Sequence, residues 1–374
     1  MKVGFIGWRG MVGSVLLDRM DQEDDFKNFE SIFFSTSKPG GKITKKISFV
    51  GDKTLQDAFN IESLSTCDVI ITCQGSSYTS DIYPKLRGRG WPGFWIDAAK
   101  TLRMNDDSVL VLDPVNQKII DQALNQGVKN FIGSNCTVSC LLMAVGALFK
   151  EGLVDWLSSN TYQAASGGGA SHIQELLNQM GSIYHSIETD LKNPTNTILE
   201  IDKKVLGQQK KFSSYEISCF GVPLAGNLIP WIDADMGNGV SLEEWKGYAE
   251  ANKILGNNYL DQSNSIPIDF SCVRIGTMRC HSQSLVIKLK RDIPISYIED
   301  LISNDNEWVR LVPNIKEETI NKLTPVAVAG TLDIGVGRLR KLSFGPDYLG
   351  AFTIGDQLLW GAAEPLRRIL KYLT

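Results

Sequence analysis

A chain of 374 residues, 43% hydrophobic and 21% charged, is too long for one ordinary core and has the profile of a soluble globular protein with two domains. Its formal charge of −4, with no Lys/Arg-rich block, leaves no electrostatic footprint for nucleic acid, and its apolar runs are too short to span a membrane. Seven scattered cysteines without Cys-x-x-Cys spacing, and no secretory signal at Met1-Lys2-Val3, point to a reducing cytoplasm; His172, His185 and His281 form no ligand-spaced cluster, so no metal is expected.

In chain order, Lys2-Val-Gly-Phe-Ile6 reads as a strand running into Gly7-Trp-Arg-Gly-Met-Val-Gly13 and then a helical pattern through Val15, Leu16, Leu17 and Met20. Strand, glycine turn and helix form the dinucleotide pattern, in which Gly7, Gly10 and Gly13 let backbone approach a pyrophosphate; a plain tight turn is the other reading. The second strand, Ser31-Ile-Phe-Phe34, ends in Ser35-Thr36-Ser37-Lys38, where an NAD-binding fold would place an acid on the ribose 2′-hydroxyl. Hydroxyls, a lysine and Arg9 suit a 2′-phosphate instead, which favours NADP.

Residues 39–51 read as a loop with an edge strand, and Leu55 to Phe59 as a short helix. Asp68 to Cys73 is a buried parallel-type strand ending at Gln74, a cofactor-contact candidate at a strand C-terminus. Strands at Phe94–Ala99 and Val109–Leu112 extend the domain, and between them Arg103 is either a solvated loop arginine or a phosphate clamp. Phe131-Ile132-Gly133 then leads into Ser134-Asn-Cys-Thr and a long apolar helix, with Cys136 at its first turn. Unpaired N–H groups and the positive dipole end there favour a Cys136 thiolate; a buried structural thiol is the competing reading, and the better one for Cys140.

Beyond Glu151 a second domain begins with a strand from Trp156 to Ala165, then Ser166-Gly-Gly-Gly-Ala170 and a helix through Ile173, Leu176 and Met180. The triple glycine implies close approach of backbone to a ligand, or a hinge. Residues 213–221 read as a strand, 224–233 as a long apolar connection suggesting an interface, and Ser241 with Glu244 as a capping box. The stretch from Asp269 to Lys290 alternates with period two and reads as antiparallel sheet. Arg274 and His281, seven apart, reach one side only if a turn or bulge intervenes around Gly276. An amphipathic helix from Leu358 to Leu373 returns to the first domain.

These residues carry a resemblance. The segments Phe5–Gly13, Ser134–Val138, Gln163–Ala170, Glu244–Lys246, Arg279–Gln283 and Gly355–Gly361 stand in the order of the bacterial aspartate-β-semialdehyde dehydrogenases, and the chain resembles them along nearly its whole length. The resemblance implies an α/β fold: a Rossmann-type dinucleotide-binding domain (1–133 and 355–374) plus an α+β catalytic and dimerisation domain with a mixed sheet (134–354). It implies an NADP-linked cytoplasmic homodimer that reductively dephosphorylates L-4-aspartyl phosphate to aspartate 4-semialdehyde, releasing phosphate, on the route to lysine, threonine, methionine and diaminopimelate.

Carried over by residue, Cys136 becomes the acyl-enzyme nucleophile, His281 the acid/base and Gln163 the group that positions the acyl moiety. Arg103 and Lys246 become the phosphate pair, Arg274 holds the α-carboxylate and Glu243 the α-ammonium. Gly7, Arg9, Gly10, Met11, Val12, Gly13, Thr36, Ser37, Gln74, Ser166, Gly167, Pro194 and Gln357 line the cofactor. Three positions depart from the family pattern: Lys100, Ser134 and Ser171. Other classes consistent with a cysteine and a dinucleotide are an N-acetyl-γ-glutamyl-phosphate reductase, a glyceraldehyde-phosphate-type enzyme, a cysteine hydrolase and a non-catalytic dinucleotide sensor.

Overall fold

The computed structural model describes residues 1–261 and 263–374. Seven short strands from the first third of the chain make an all-parallel sheet: β1 (Lys2–Ile6), β2 (Glu30–Ser35), β3 (Gln56–Asp57), β4 (Val69–Thr72), β5 (Phe94–Asp97), β6 (Ser108–Val111) and β7 (Asn130–Gly133). Their order is β3-β2-β1-β4-β5-β7-β6, so the chain reverses its direction of winding between β1 and β4, where ligands of open α/β sheets sit. Strands buried on both faces carry continuous apolar runs, and Val69–Thr72 is buried at all four positions. Helices α1 (Met11–Gln22), α2 (Ser76–Gly88) and α3 (Asp113–Asn125) serve as crossovers.

Helix α4 (Cys136–Lys150) leaves β7 for the second half of the molecule, and every residue from Thr137 to Phe149 is buried. It packs against a second seven-stranded sheet of β8 (Val154–Gln163), β9 (Leu228–Ile229), β10 (Ile268–Ile275), β11 (His281–Leu289), β12 (Val309–Leu311), β13 (Ile334–Leu342) and β14 (Gly345–Gly355). The order is β12-β13-β14-β11-β8-β10-β9. Strand β11 runs antiparallel to β8 and β14, but β10 lies parallel to β8, so the expected antiparallel pairing across 269–290 is corrected. The turn at 276–280, with Cys280 at φ +74°, does not fold β11 back onto β10; the chain steps over β8, which separates them. Helices α5 (Ala170–Leu191), α6 (Ile198–Gln209) and α7 (Leu242–Ile254) belong to this half, with shorter helices at Ile295–Ser303, Lys316–Lys322 and Pro325–Val328. The last, α8 (Glu364–Leu373), returns to the first sheet, where Leu366, Ile369 and Leu370 join Phe5, Leu17 and Phe131 in one core.

Two further local readings change. Leu55 to Phe59 is not a helix, because Gln56 and Asp57 pair in parallel with Phe34 and Ser35; the short helix is Ile61–Ser65. Residues 213–221 form turns rather than a strand. Glu216 takes the Ser213 N–H and hydroxyl, and the buried Glu175 carboxylate takes the N–H groups of Cys219 and Phe220, so these donors never reach a ladder. The Ser241–Glu244 capping box forms as read. No helix among the described residues is long and apolar enough to cross a membrane.

Candidate active site

Three strand ends converge on one point. Arg274 on β10 pairs in register with Gln163, the last residue of β8, and His281 opens β11 one position beyond the Ser282–Tyr162 pair. Gln163 is therefore flanked by Arg274 on one side and His281 on the other, and all three side chains are buried. The break at 276–280 restores the parity that an unbroken strand would have lost. The Ala164 peptide fixes both neighbours: its N–H donates to His281 Nδ1 at 3.1 Å, and its carbonyl accepts from Arg274 Nη1 at 2.6 Å.

The turn between β7 and α4 aims Cys136 at this point. Asn135 caps the helix, its side-chain oxygen accepting from Thr137 N–H and Val138 N–H. Cys136 Sγ then lies 3.2 Å from His281 Nε2. With Nδ1 committed to accepting from Ala164, the neutral ring carries its proton on Nε2 and donates to the sulfur. Gly361 permits this placement, since a Cβ there would stand 2.6 Å from Cys136 Cβ.

Electrostatics correct the expectation of a resting thiolate. Burial pushes the Cys136 thiol up to about 11, and the Glu243 charge adds to this, against the opposing pull of Arg103 and Arg274. Burial, then Arg274, lowers His281 to about 3. Both members of the pair are neutral at rest, because desolvation of Cys136 outweighs the pull of Arg103 and Arg274, and desolvation of His281 disfavours its charged form.

One face of α7 supplies the charged wall. Glu243 and Lys246 are one turn apart and contact each other at 3.3 Å, while Glu243 Oε1 accepts from Asn135 Nδ2 at 2.9 Å and Gln163 Nε2 at 3.3 Å. Burial acts to raise the Glu243 carboxyl, but Lys246, Asn135 and Arg274 hold it below the usual carboxylate range. Two acids on this wall escaped sequence reasoning. Glu250, 1% exposed, accepts from Arg103 Nη1 at 3.1 Å and from the Asn135 N–H at 2.5 Å. Asp233 accepts from Lys100 at 2.9 Å and from Lys246. Glu250 was within reach of a helical period starting at Glu243, whereas Asp233 sits in an irregular connection that carries no pattern. Arg103, Lys246, Arg274, Glu243, Gln163 and Cys136 line one cleft of about 460 Å³, along with Val12, Gly167 and Gln357.

The adjoining cleft runs along the β1–α1 turn. Gly7, at φ +72°, has no room for a Cβ, which would meet the Cys73 carbonyl carbon at 2.5 Å, so the β1 and β4 turns press together. At Gly13 a Cβ would meet Gly7 O at 2.4 Å. No side chain caps α1, and its first-turn donors, at Met11, Val12 and Gly13, suit a pyrophosphate. Arg9 Nη2 donates to Ser35 Oγ at 3.2 Å and Ser37 Oγ at 2.8 Å, beside Thr36 and Gln74. A cation ringed by hydroxyls, with no acid among them, fits a 2′-phosphate.

The triple glycine answers to the protein's own side chains. A Cβ on Gly167 would come 2.8 Å from Arg274 Nη1 and 3.3 Å from the His281 ring, and one on Gly168 would strike the His172 ring at 2.4 Å. Ser166 accepts from Gln357 Nε2 at 2.7 Å, linking this turn to the segment after β14. Pro194 stands apart, in the exposed turn between α5 and α6, and lines neither cleft. Ser134 bonds to Ser139 at 2.6 Å, and Ser171 is exposed beside His172. No group of three or more His, Cys, Asp or Glu residues arranged for a metal occurs among the described residues.

A cysteine in contact with a histidine, a dinucleotide cleft and a wall of cations define an oxidoreductase that handles an activated acyl group. Comparison with known proteins agrees. The semialdehyde dehydrogenase NAD binding domain matches residues 2–123, and the semialdehyde dehydrogenase dimerisation domain matches residues 145–360. An aspartate semialdehyde dehydrogenase from Francisella tularensis is 46% identical over 100% of this chain and 99% of its own, with a TM-score of 0.92. Aspartate semialdehyde dehydrogenase II from Vibrio cholerae, in complex with ASA, shares the fold at 21% identity and TM-score 0.78, over 100% of this chain and 97% of its own. The enzyme with NADP from Candida albicans shares it at 18% and 0.65, over 100% and 98%. The chain belongs to the aspartate semialdehyde dehydrogenase family.

Proposed function

We infer that this protein reductively dephosphorylates L-4-aspartyl phosphate to L-aspartate 4-semialdehyde with NADPH, through a thioester on Cys136, in the biosynthesis of lysine, threonine and methionine. The observation that carries this reading is the Cys136–His281 contact at 3.2 Å in a cleft walled by Arg103, Lys246, Arg274 and Glu243. Residues 1–133 with 355–374 form the cofactor domain and 134–354 the catalytic and dimerisation domain.

Arg103 and Lys246 hold the phosphate, Arg274 grips the α-carboxylate with its planar fork, and Glu243 accepts from the α-ammonium. The Cys136 thiol gives its proton to the phosphoryl oxygens of the substrate, the thiolate attacks the acyl carbon, and the carbon–oxygen bond to phosphate breaks, leaving a thioester while the proton departs with the phosphate. The positive charges of Arg103 and Arg274 oppose burial and so favour that thiolate. Gly7 to Gly13, with Arg9, Thr36, Ser37 and Gln74, would hold NADPH, which when bound would supply the hydride that reduces the thioester. Gln163, at the end of β8, positions the acyl group. As the tetrahedral oxyanion collapses, the carbon–sulfur bond breaks and His281 Nε2–H receives the departing sulfur with a hydrogen bond.

The second domain's exposed apolar side chains, including Leu177, Met180 and Tyr184 on α5 and Ile198 and Leu199 on α6, support a homodimer. Cysteines that are all free, four of them buried with thiols pushed well up (Cys67, Cys140, Cys272 and Cys280), fit the cytoplasm. The testing experiment is NADP reduction with aspartate semialdehyde: a rate that requires inorganic phosphate is expected, and a phosphate-independent rate overturns the acyl-phosphate chemistry.

A further inference from the structure

Beyond the contact of Lys246 with Glu243, each of the two cations read as the phosphate pair is held by a further carboxylate, Glu250 on Arg103 and Asp233 on Lys246, and these two differ in kind. Glu250 is buried, sits in the middle of α7 and also accepts from the Asn135 N–H, so it is bound to Arg103 and to the start of α4 at once. Asp233 is part-exposed and lies outside any helix or strand. Its Oδ2 accepts from Lys100 at 2.9 Å and from Lys246, and its backbone is left-handed at φ +70°, a conformation that costs a non-glycine residue free energy. Asp233 lines the same cleft as Cys136, Arg103 and Lys246. Partial burial acts to raise its carboxyl, but the two lysines hold it well below the usual range, so it stays charged at any working pH.

We propose that Asp233 is an internal competitor for the phosphate subsite: its carboxylate occupies Lys246 and Lys100 in the free enzyme, and the phosphoryl group of the substrate displaces it. This rests on the functional reading above. For Lys246 a carboxylate and a phosphate are the same kind of charge-assisted acceptor, and both cannot take the same N–H donor. Phosphate affinity is then reduced by the fraction of molecules in which Asp233 is in place. Lys100 makes that fraction larger, because it is the second anchor of the carboxylate. Glu250 cannot act in this way, since leaving Arg103 would strand a buried charge and the Asn135 N–H together.

The test is the steady-state rate of NADP reduction with aspartate semialdehyde at varied inorganic phosphate, for the wild type, Asp233→Asn and Asp233→Ala. Both variants are expected to lower the KM for phosphate by about fivefold or more, one charge-assisted contact being removed from the competing state. The KM for aspartate semialdehyde should move by less than twofold. Calorimetric titration of inorganic phosphate into the same proteins should show Kd falling in parallel. A phosphate KM that is unchanged or higher in the variants overturns the inference, and a rise identifies Asp233 as a positioning residue for Lys246. A wild type that shows no phosphate dependence removes the functional reading as well, which separates the two failures.

Discussion

Helices α1 and α4 start in the same way, each at the C-terminal end of a parallel strand, yet they serve opposite ends of one reaction. Helix α1 opens at Gly10 with no side-chain cap, so its first N–H groups remain for a ligand. Helix α4 opens at Asn135, whose oxygen takes two of the corresponding donors. In one case the dipole end is left to an external anion; in the other it is partly quenched, and a sulfur is placed there among charged side chains. The chemistry of a helix start is decided by its cap and by what faces it, because the dipole is common to both.

The largest expected effect separates the two starts outright. Cys136→Ala should lower kcat by at least about 10⁴-fold, while the Kd for NADP, measured by fluorescence titration, changes by less than about threefold; substantial residual turnover would remove the thioester. Next is the ionisation of that sulfur. With the thiol pushed up to about 11, alkylation of the free enzyme by iodoacetamide should accelerate about tenfold per pH unit from pH 7 to 9, since the thiolate fraction is still rising there. No acid limb near pH 6.5 should come from His281, which lies at about 3. A rate that levels off below pH 7.5 would mean that the helix start outweighs burial after all.

At α1, Arg9→Ala should reduce kcat/KM for NADP by about tenfold or more and leave that for NAD within about twofold, as one charge-assisted partner of a phosphate is lost. Equal losses for both cofactors would detach Arg9 from the 2′-phosphate. The smallest effect compares the caps themselves. Asn135→Ala should cost about 1–2 kcal/mol in urea unfolding, from a lost cap and a buried Glu243 left short of one donor. Gly10→Ala, whose Cβ would meet only Gly7 O at 3.3 Å, should cost less than about 1 kcal/mol.

Much of this was legible in the chain because the signals are local. Strand, glycine turn and helix marked β1–α1; the Ser241–Glu244 box marked α7; the parity conflict between Arg274 and His281 announced a turn before the turn was seen. What stayed hidden depends on distant partners. That β10 joins β8 in parallel cannot be read from alternation, which is the same for either direction. The need for glycine at 361 arises from Cys136, and that at 167 from Arg274 and His281, each far away in sequence. A resting thiol rather than a thiolate follows from how deeply the site is buried, and local sequence sets the dipole without setting the depth. Asp233 belongs to a connection with no periodicity, so only its neighbours in space reveal it.

The return of α8 has a consequence for synthesis. Arg367 closes on Asp25 across 342 positions, and Leu366, Ile369 and Leu370 cover apolar side chains of the first sheet. During translation, the N-terminal third therefore emerges with part of its core uncovered and stays so until the whole second sheet has been made. At about 5–20 residues per second, that interval is on the order of tens of seconds. Over that time the faces of α1 and β7 that α8 covers, with Leu17 and Phe131 in their core, stand open to other nascent chains, and deleting α8 would make the exposure permanent. The last helix thus governs when the first domain becomes safe from aggregation, a kinetic duty separate from anything it does at equilibrium.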